Sequence, residues 1–408
     1  MQDKLAEYAD LIIHYGANVQ KGQILVINCS VESAPFVRML AEEAYNAGAR
    51  EVVIMWNDDQ LSRMKYLRAD NAVFDEMPAW FKTFNYEYGE KKAAFIRISS
   101  NDPEYLKGVD ADKLRRSSVV TGRELKGYRD MQMRNEFPWC VVSASSEAWA
   151  AKVLPECSQE EAVNKLWEAI FRAVRVEGDG GAVRRWQEHA AGLQKRAGVL
   201  DSYNFAKLIY KNNLGTNFSV GMPEKHKWVC CGEKTGTGQP FTANMPTEEI
   251  FSLPDRNNVN GVICSSLPLS MDGNLVKDIR LEVKDGKVTK VSASTGLENL
   301  EKKLEVDEGA KHFGEIALVP HNSPISNMGI LFYNTLYDEN ASCHFALGKA
   351  YPTFIDAKTA SPEELSRRGM NDSAIHVDFM VGTKDLSITG VTKDGREIPV
   401  FTEGNFAF

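Results

Sequence analysis

The strongest constraint on the fold is the run GQILVINC at 22–29, followed after one helical segment by EVVIMW at 51–56. A strand that is apolar at nearly every position cannot offer one face to water, so it belongs inside a sheet covered on both sides. Between the two runs, APFVRMLAEEAYNA (34–47) carries Phe36, Leu40, Ala44 and Ala47 at helical spacing with Met39 beside them, and Pro35 suits a first helical turn. Strand, helix, strand with short joins is a βαβ unit, which implies parallel pairing. AAFIRISS (93–100) and WCVVSASS (139–146) supply two further strands, and 3–16, 59–66, 110–116, 122–134 and 160–174 read as helices. Residues 1–195 are therefore expected to form an α/β domain with a mainly parallel sheet.

From about residue 210 the text changes. Short alternating segments take over, among them GTNFSVGM, NGVICSSLP, GILFYN, IHVDFM and LSITGVT. Asp285-Gly286 and Asp394-Gly395 each stand between two such segments, a hairpin signal. Two helical patterns remain, 296–305 and 361–368. Residues 196–408 are expected to be a second, strand-rich α+β domain, largely antiparallel. A chain of 408 residues supports such a pair of cores.

Composition narrows the function classes. The net charge of −8 argues against broad nucleic-acid binding, which needs a positive field. No stretch approaches the ~18 consecutive apolar residues of a membrane span, and the charged, amphipathic N-terminus does not read as a secretory leader. The seven cysteines are scattered and form no CxxC pair, so a reducing cytoplasm is the expected location.

Four segments of the second half carry acidic and histidine residues at positions where strands begin. In NMPTEEIFSLP (244–254), Glu248 and Glu249 precede an apolar strand start; Thr247 could open a helical turn, or the segment could be extended. In EGAKHFGEIALVP (308–320), Glu315 stands at the mouth of IALV, with His312 either sharing a helical face with it or lying in a loop. In NTLYDENASCHFALGKAY (334–351), Glu339, His344 and Tyr351 follow one another, and a helix through ASCHFALGKA would place His344 in its first turns. In SAIHVDFM (373–380), strand alternation puts His376 and Asp378 on one face, with Val377 and Phe379 on the other. Surface acids, satisfied core histidines and packing tyrosines are the plain alternatives. Taken together, Glu249, Glu315, Glu339, His344, His376 and Asp378 make a mixed oxygen and nitrogen set. That set is too oxygen-rich for a thiolate-type structural zinc site and suits a pair of divalent ions roughly 3.5–4 Å apart.

The order and spacing of PTEEIF, GEIALVP, LYDENASCHFALGKAY and SAIHVDFMVG resemble the thermophilic-type metallo-aminopeptidases, the family of aminopeptidases T and S. The likeness extends to KGQILVIN and its βαβ region and so covers essentially the whole chain. It implies a catalytic metallopeptidase domain over 196–408 that hydrolyses the N-terminal peptide bond of short peptides by a metal-bridged hydroxide. It points to Glu249, Glu315, Glu339, His344, His376 and Asp378 as ligands of two divalent ions (zinc, cobalt, manganese or magnesium), with Glu315 bridging. Tyr351 would stabilise the oxyanion, and Glu248, beside Glu249, would shuttle a proton. A homodimer is also implied. One departure is Asn217 in GTNFSVGM, where the family pattern is expected to carry an acid.

Two readings from other classes compete. The βαβ unit could bind a nucleotide cofactor, but CSVESAP follows the first strand where GxGxxG would be needed, and GEKTGTGQP (232–240) lacks the GK[ST] ending of a phosphate loop. A nonenzymatic peptide-binding protein would not need the full ligand set.

Overall fold

The computed structural model describes residues 1–271, 273–351 and 361–408. The chain divides into two compact units. One comprises Met1–Glu188 with Cys231–Pro246, the other His189–Cys230 with Thr247–Phe408. The division falls within the helix Ala182–Tyr203, as does the 195/196 boundary read from the sequence.

The first unit is built on four parallel strands, β1 (Ile24–Ser30), β2 (Glu51–Asn57), β3 (Ala94–Ser99) and β4 (Trp139–Ser143), in the spatial order β2-β1-β3-β4. β1 lies in the interior of the sheet, with Leu25, Val26, Ile27 and Cys29 all buried. The helix Ala34–Asn46 packs Phe36, Val37, Leu40 and Ala44 inward. The N-terminal helix Gln2–Leu11 continues as a wider π turn over Ile12–Gly16. Residues 241–246 run beside β4: Met245 N–H donates to the Val141 carbonyl at 2.9 Å and Val141 N–H to the Ala243 carbonyl at 2.7 Å. This return of the chain to the first unit has no periodic signal in the sequence.

The helix Ala182–Tyr203, 22 residues long, is absent from the sequence reading. Its buried stripe is Ala182, Trp186, Ala190, Leu193, Ala197 and Leu200. Three of the six are alanines, which mark an inward face only weakly.

Among its described residues the second unit holds two main antiparallel sheets and a two-stranded one, Leu269–Met271 with Asn274–Val276. The larger has eight strands in the spatial order Lys287–Ser292, Arg280–Lys284, Val259–Cys264, Asn217–Gly221, Lys207–Lys211, Ser387–Val391, Glu397–Thr402 and Asn405–Phe406. Both glycine hairpins read from the sequence are present: Lys284 pairs with Lys287 across Asp285-Gly286, and Val391 with Glu397 across the Asp394-Gly395 loop. Asn217 lies exposed at the start of its strand. The smaller sheet comprises β5 (Ile250–Ser252), β6 (Phe313–Leu318), β7 (His344–Gly348) and β8 (His376–Met380), ordered β8-β7-β6-β5. His344 opens a strand, not a helix, because β6 and β8 pair with that segment on both sides and override its local helical pattern. Among the described residues no helix is long and apolar enough to cross a membrane.

Candidate metal centre

The smaller sheet sorts its side chains by face. Glu315 pairs with Ala346, and Ala346 with Asp378, so the three share one face. His344 and His376 lie two residues from Ala346 and Asp378 and take the same face. The opposite face carries Phe345 and Phe379, which stack on each other and both pack against Phe313, while Phe345 also meets Phe218 and Tyr210 of the larger sheet edge to face. Phe313 and Glu315 are two apart, so a regular strand would place them together. A bulge prevents this: Phe313 pairs with Leu347 but Glu315 pairs with Ala346, leaving Gly314 as the extra residue. Only glycine fits there, since a Cβ would stand 2.4 Å from the carbonyl oxygens of Gly348 and Lys349.

Glu249, at the entry to β5, and Glu339, in the turn before β7, complete the set. The six side chains fall into three overlapping triads, Glu249–Glu315–His344, Glu315–His376–Asp378 and Glu339–His344–Asp378. His344 Nε2 lies 3.1 Å from Glu249 Oε2 and 3.7 Å from Glu315 Oε1. His376 Nε2 lies 3.6 Å from Glu315 Oε2 and 3.3 Å from Asp378 Oδ1. The two oxygens of Glu315 therefore face two different imidazoles.

The profile of the thermophilic metalloprotease (M29) family matches residues 1–406. The chain belongs to this M29 family. It is 42% identical to aminopeptidase AmpS of Bacillus subtilis (strain 168), over 99% of this chain and 98% of that one. It is 41% identical to aminopeptidase 2 of Geobacillus stearothermophilus, over 100% and 98%. The solved structure of wild-type AmpT from Thermus thermophilus superposes with a TM-score of 0.94 at 34% identity, covering 100% of both chains. Family, fold and clustered ligand groups make this M29 chain a metallo-aminopeptidase with an α/β architecture of mixed parallel and antiparallel sheets.

The donor chemistry of the M29 site fits metal ions. His344 Nδ1–H donates to the carbonyls of Glu339 (2.9 Å) and Ser342 (3.0 Å), and His376 Nδ1–H donates to the carbonyl of Lys349 (2.8 Å). Each ring is thereby fixed in the tautomer that turns the Nε2 lone pair toward the carboxylates, as a ligating histidine requires. Asp378 Oδ1 is buried with no hydrogen-bond partner among the described residues. Four carboxylates meet two imidazoles in this cluster. Even with both rings protonated the charge is unbalanced, whereas two divalent cations would offset all four carboxylates.

With protons as the only cations, the site distorts its own titration. Burial raises the Glu315 carboxyl, and burial and the Asp378 and Glu249 charges hold Glu339 well above the usual range. Burial alone would lower His376; attraction to Asp378 and Glu315 outweighs it and lifts the ring to about 10. His344, likewise opposed by burial, is held well above its usual value by Glu249 and Glu315. Asp378 is pulled down by His376 against the effect of burial.

Tyr351 stands beside this group, its ring centroid 4.9 Å from that of His376. Burial, then the charges of Glu315, Asp378, Glu339 and Glu249, push its phenol well above the ordinary value. Glu248 is buried but outside the three triads; its carboxylate lies 3.8 Å from His189 Nε2. His312 is a loop residue, its Nδ1 bonded to the Arg256 carbonyl, and takes no part. His189 and Asn340, both in contact with the Glu248 segment, were not picked out from the sequence. A helical reading of 182–203 would have placed His189 beside the Trp186–Ala190 stripe.

Proposed function

We propose that residues 196–408 form the catalytic part and remove the N-terminal residue of short peptides bearing a free amino terminus. Glu249, Glu315, Glu339, His344, His376 and Asp378 would hold two divalent ions, with Glu315 shared between them. The observation that carries this reading is the position of Glu315, whose two oxygens face His344 on one side and His376 on the other. Two bound ions supply Lewis acidity and acidify a water to provide the nucleophile. The chain's own groups do the rest. The two histidines present fixed lone pairs, so no ligand must reorient when the substrate arrives. Tyr351, kept protonated by its surroundings, donates a hydrogen bond to the scissile carbonyl oxygen as that oxygen gains negative charge. Glu248 carries a proton from the attacking water to the departing amine.

The active form is proposed to be a homodimer in the cytoplasm. All seven cysteines are free thiols, which suits that compartment. Zinc, cobalt, manganese and magnesium are all compatible with the donor set.

The test is metal analysis of gently purified protein together with amino-acid release from a dipeptide and from its N-acetylated form. Two ions per chain, cleavage of the free dipeptide only, and loss and recovery of activity on chelation and re-addition are expected. Full activity in verified metal-free protein, or equal cleavage of the blocked peptide, overturns the reading. Sedimentation of a stable, fully active monomer removes the dimer.

A further inference from the structure

Thr247, Glu248 and Glu249 are all buried, yet they precede the first ladder bond of β5. Backbone in such a place needs other partners for its polar groups. At the Thr247–Glu248 peptide those partners are two side chains. His189 Nε2–H donates to the Thr247 carbonyl at 2.8 Å. Asn340 Oδ1 accepts from the Glu248 N–H at 2.7 Å. Carbonyl and N–H belong to one planar group, so both ends of a single peptide unit are gripped. The grips come from distant parts of the chain, one from the helix Ala182–Tyr203 and the other from the turn that also supplies Glu339. Asn340 is itself braced, its Nδ2 donating to the Leu336 carbonyl at 2.9 Å, and it is fully buried. The tilt of this peptide plane determines the direction in which the Glu248 side chain leaves the backbone.

We infer that His189 and Asn340 are positioning residues for the aminopeptidase reaction, clamping the Thr247–Glu248 peptide so that Glu248 is held in its working orientation. This rests on the role proposed above for Glu248. Glu249 depends on the clamp less, because Ile250 directly after it pairs with Leu318 in the sheet. The clamp therefore governs turnover more than ion binding. His189 serves as a donor through Nε2–H, so a glutamine amide can replace it where leucine cannot.

The variants are His189→Leu, His189→Gln, Glu248→Gln and the pair His189→Leu/Glu248→Gln, assayed with a dipeptide. Expected for His189→Leu is a roughly tenfold to hundredfold fall in kcat with KM, ion content and Tm near wild type. His189→Gln regains most of the loss. In the Glu248→Gln background His189→Leu costs almost nothing further, since the residue acts through Glu248. A kcat within about twofold of wild type, a loss that tracks ion content or Tm, or an undiminished loss in that background overturns the inference. Amide exchange over 245–250 reads the clamp without turnover. Protection should fall in His189→Leu and return in His189→Gln, and unchanged exchange overturns the clamp even if the peptidase reading fails. A wild-type enzyme without dipeptidase activity but with a clamp-dependent exchange pattern would instead sink the peptidase reading alone.

Discussion

β1 and β6 are both interior strands, and they are buried for opposite reasons. β1 places Leu25, Val26 and Ile27 among apolar neighbours, and each methylene removed from water favours the fold. β6 is buried at all six positions, yet one of them is Glu315, 6% exposed. Burying that carboxylate opposes folding unless cations or donors compensate it. The first strand can be understood from its own residues. The second makes sense only with its ligand-bearing neighbours, the other three carboxylates and two histidines, and with what they are built to hold.

The largest expected effect breaks this contrast at β6. Glu315→Gln keeps the shape and removes the charge that the two proposed ions would share. Its kcat should fall by about a thousandfold or more, on the order of 4 kcal/mol, with loss of at least one ion and an unchanged circular dichroism spectrum. Near-normal kcat with both ions retained would return Glu315 to the status of an ordinary buried acid. The matching change in β1, Ile27→Ala, should cost about 2–5 kcal/mol of stability in urea titration and leave kcat of the folded protein alone. A large change in kcat there would mean that the contrast between the strands is false.

Tyr351→Phe sharpens the comparison within the site, because it removes a donor and no charge. We expect kcat to fall by about a hundredfold, near 3 kcal/mol, with KM and ion content little changed. A loss confined to KM would make Tyr351 a substrate-packing residue. The smallest effect concerns protons. Ions require neutral imidazoles, while His376 in the ion-free protein stays protonated up to about 10. Ion uptake near neutral pH should therefore release protons, and affinity should rise with pH. Calorimetry in buffers of different ionisation enthalpy measures this, and a buffer-independent heat would contradict it. The sign for stability is the reverse. The His376 pKa is raised on folding, so its contribution is complete below the ordinary imidazole value near 6.5 and is lost as pH approaches 10. Raised Glu315 and Glu339 act in the same direction. The ion-free protein should thus lose Tm between pH 7 and 10, and the loaded protein should lose less.

What the sequence disclosed follows the same division. The apolar runs of β1 and β2 are one-dimensional signals, and so are the ligand-bearing segments around Glu249, Glu315, Glu339 and His376. Each is recognisable without knowing its neighbour. The local pattern around His344 is helical, yet strand pairing on both sides, by Ala317 and Met380, decides its state. The helix carrying His189 was missed because alanine makes up half its inward stripe. The contacts of His189 and Asn340 with one peptide lie 58 and 92 positions away along the chain, and no local pattern encodes them.

Gly314 gives β6 the character of a counter. Residues before it and after it are numbered in opposite parity with respect to the two faces of the sheet. Removing that one glycine would delete no ligand and no core residue, and it would make Phe313 and Glu315 direct neighbours, which a regular strand turns to opposite faces, where they already lie. A gap of one residue at this point should therefore be easier to tolerate than a larger side chain in its place, whose Cβ would meet the carbonyl oxygens of Gly348 and Lys349.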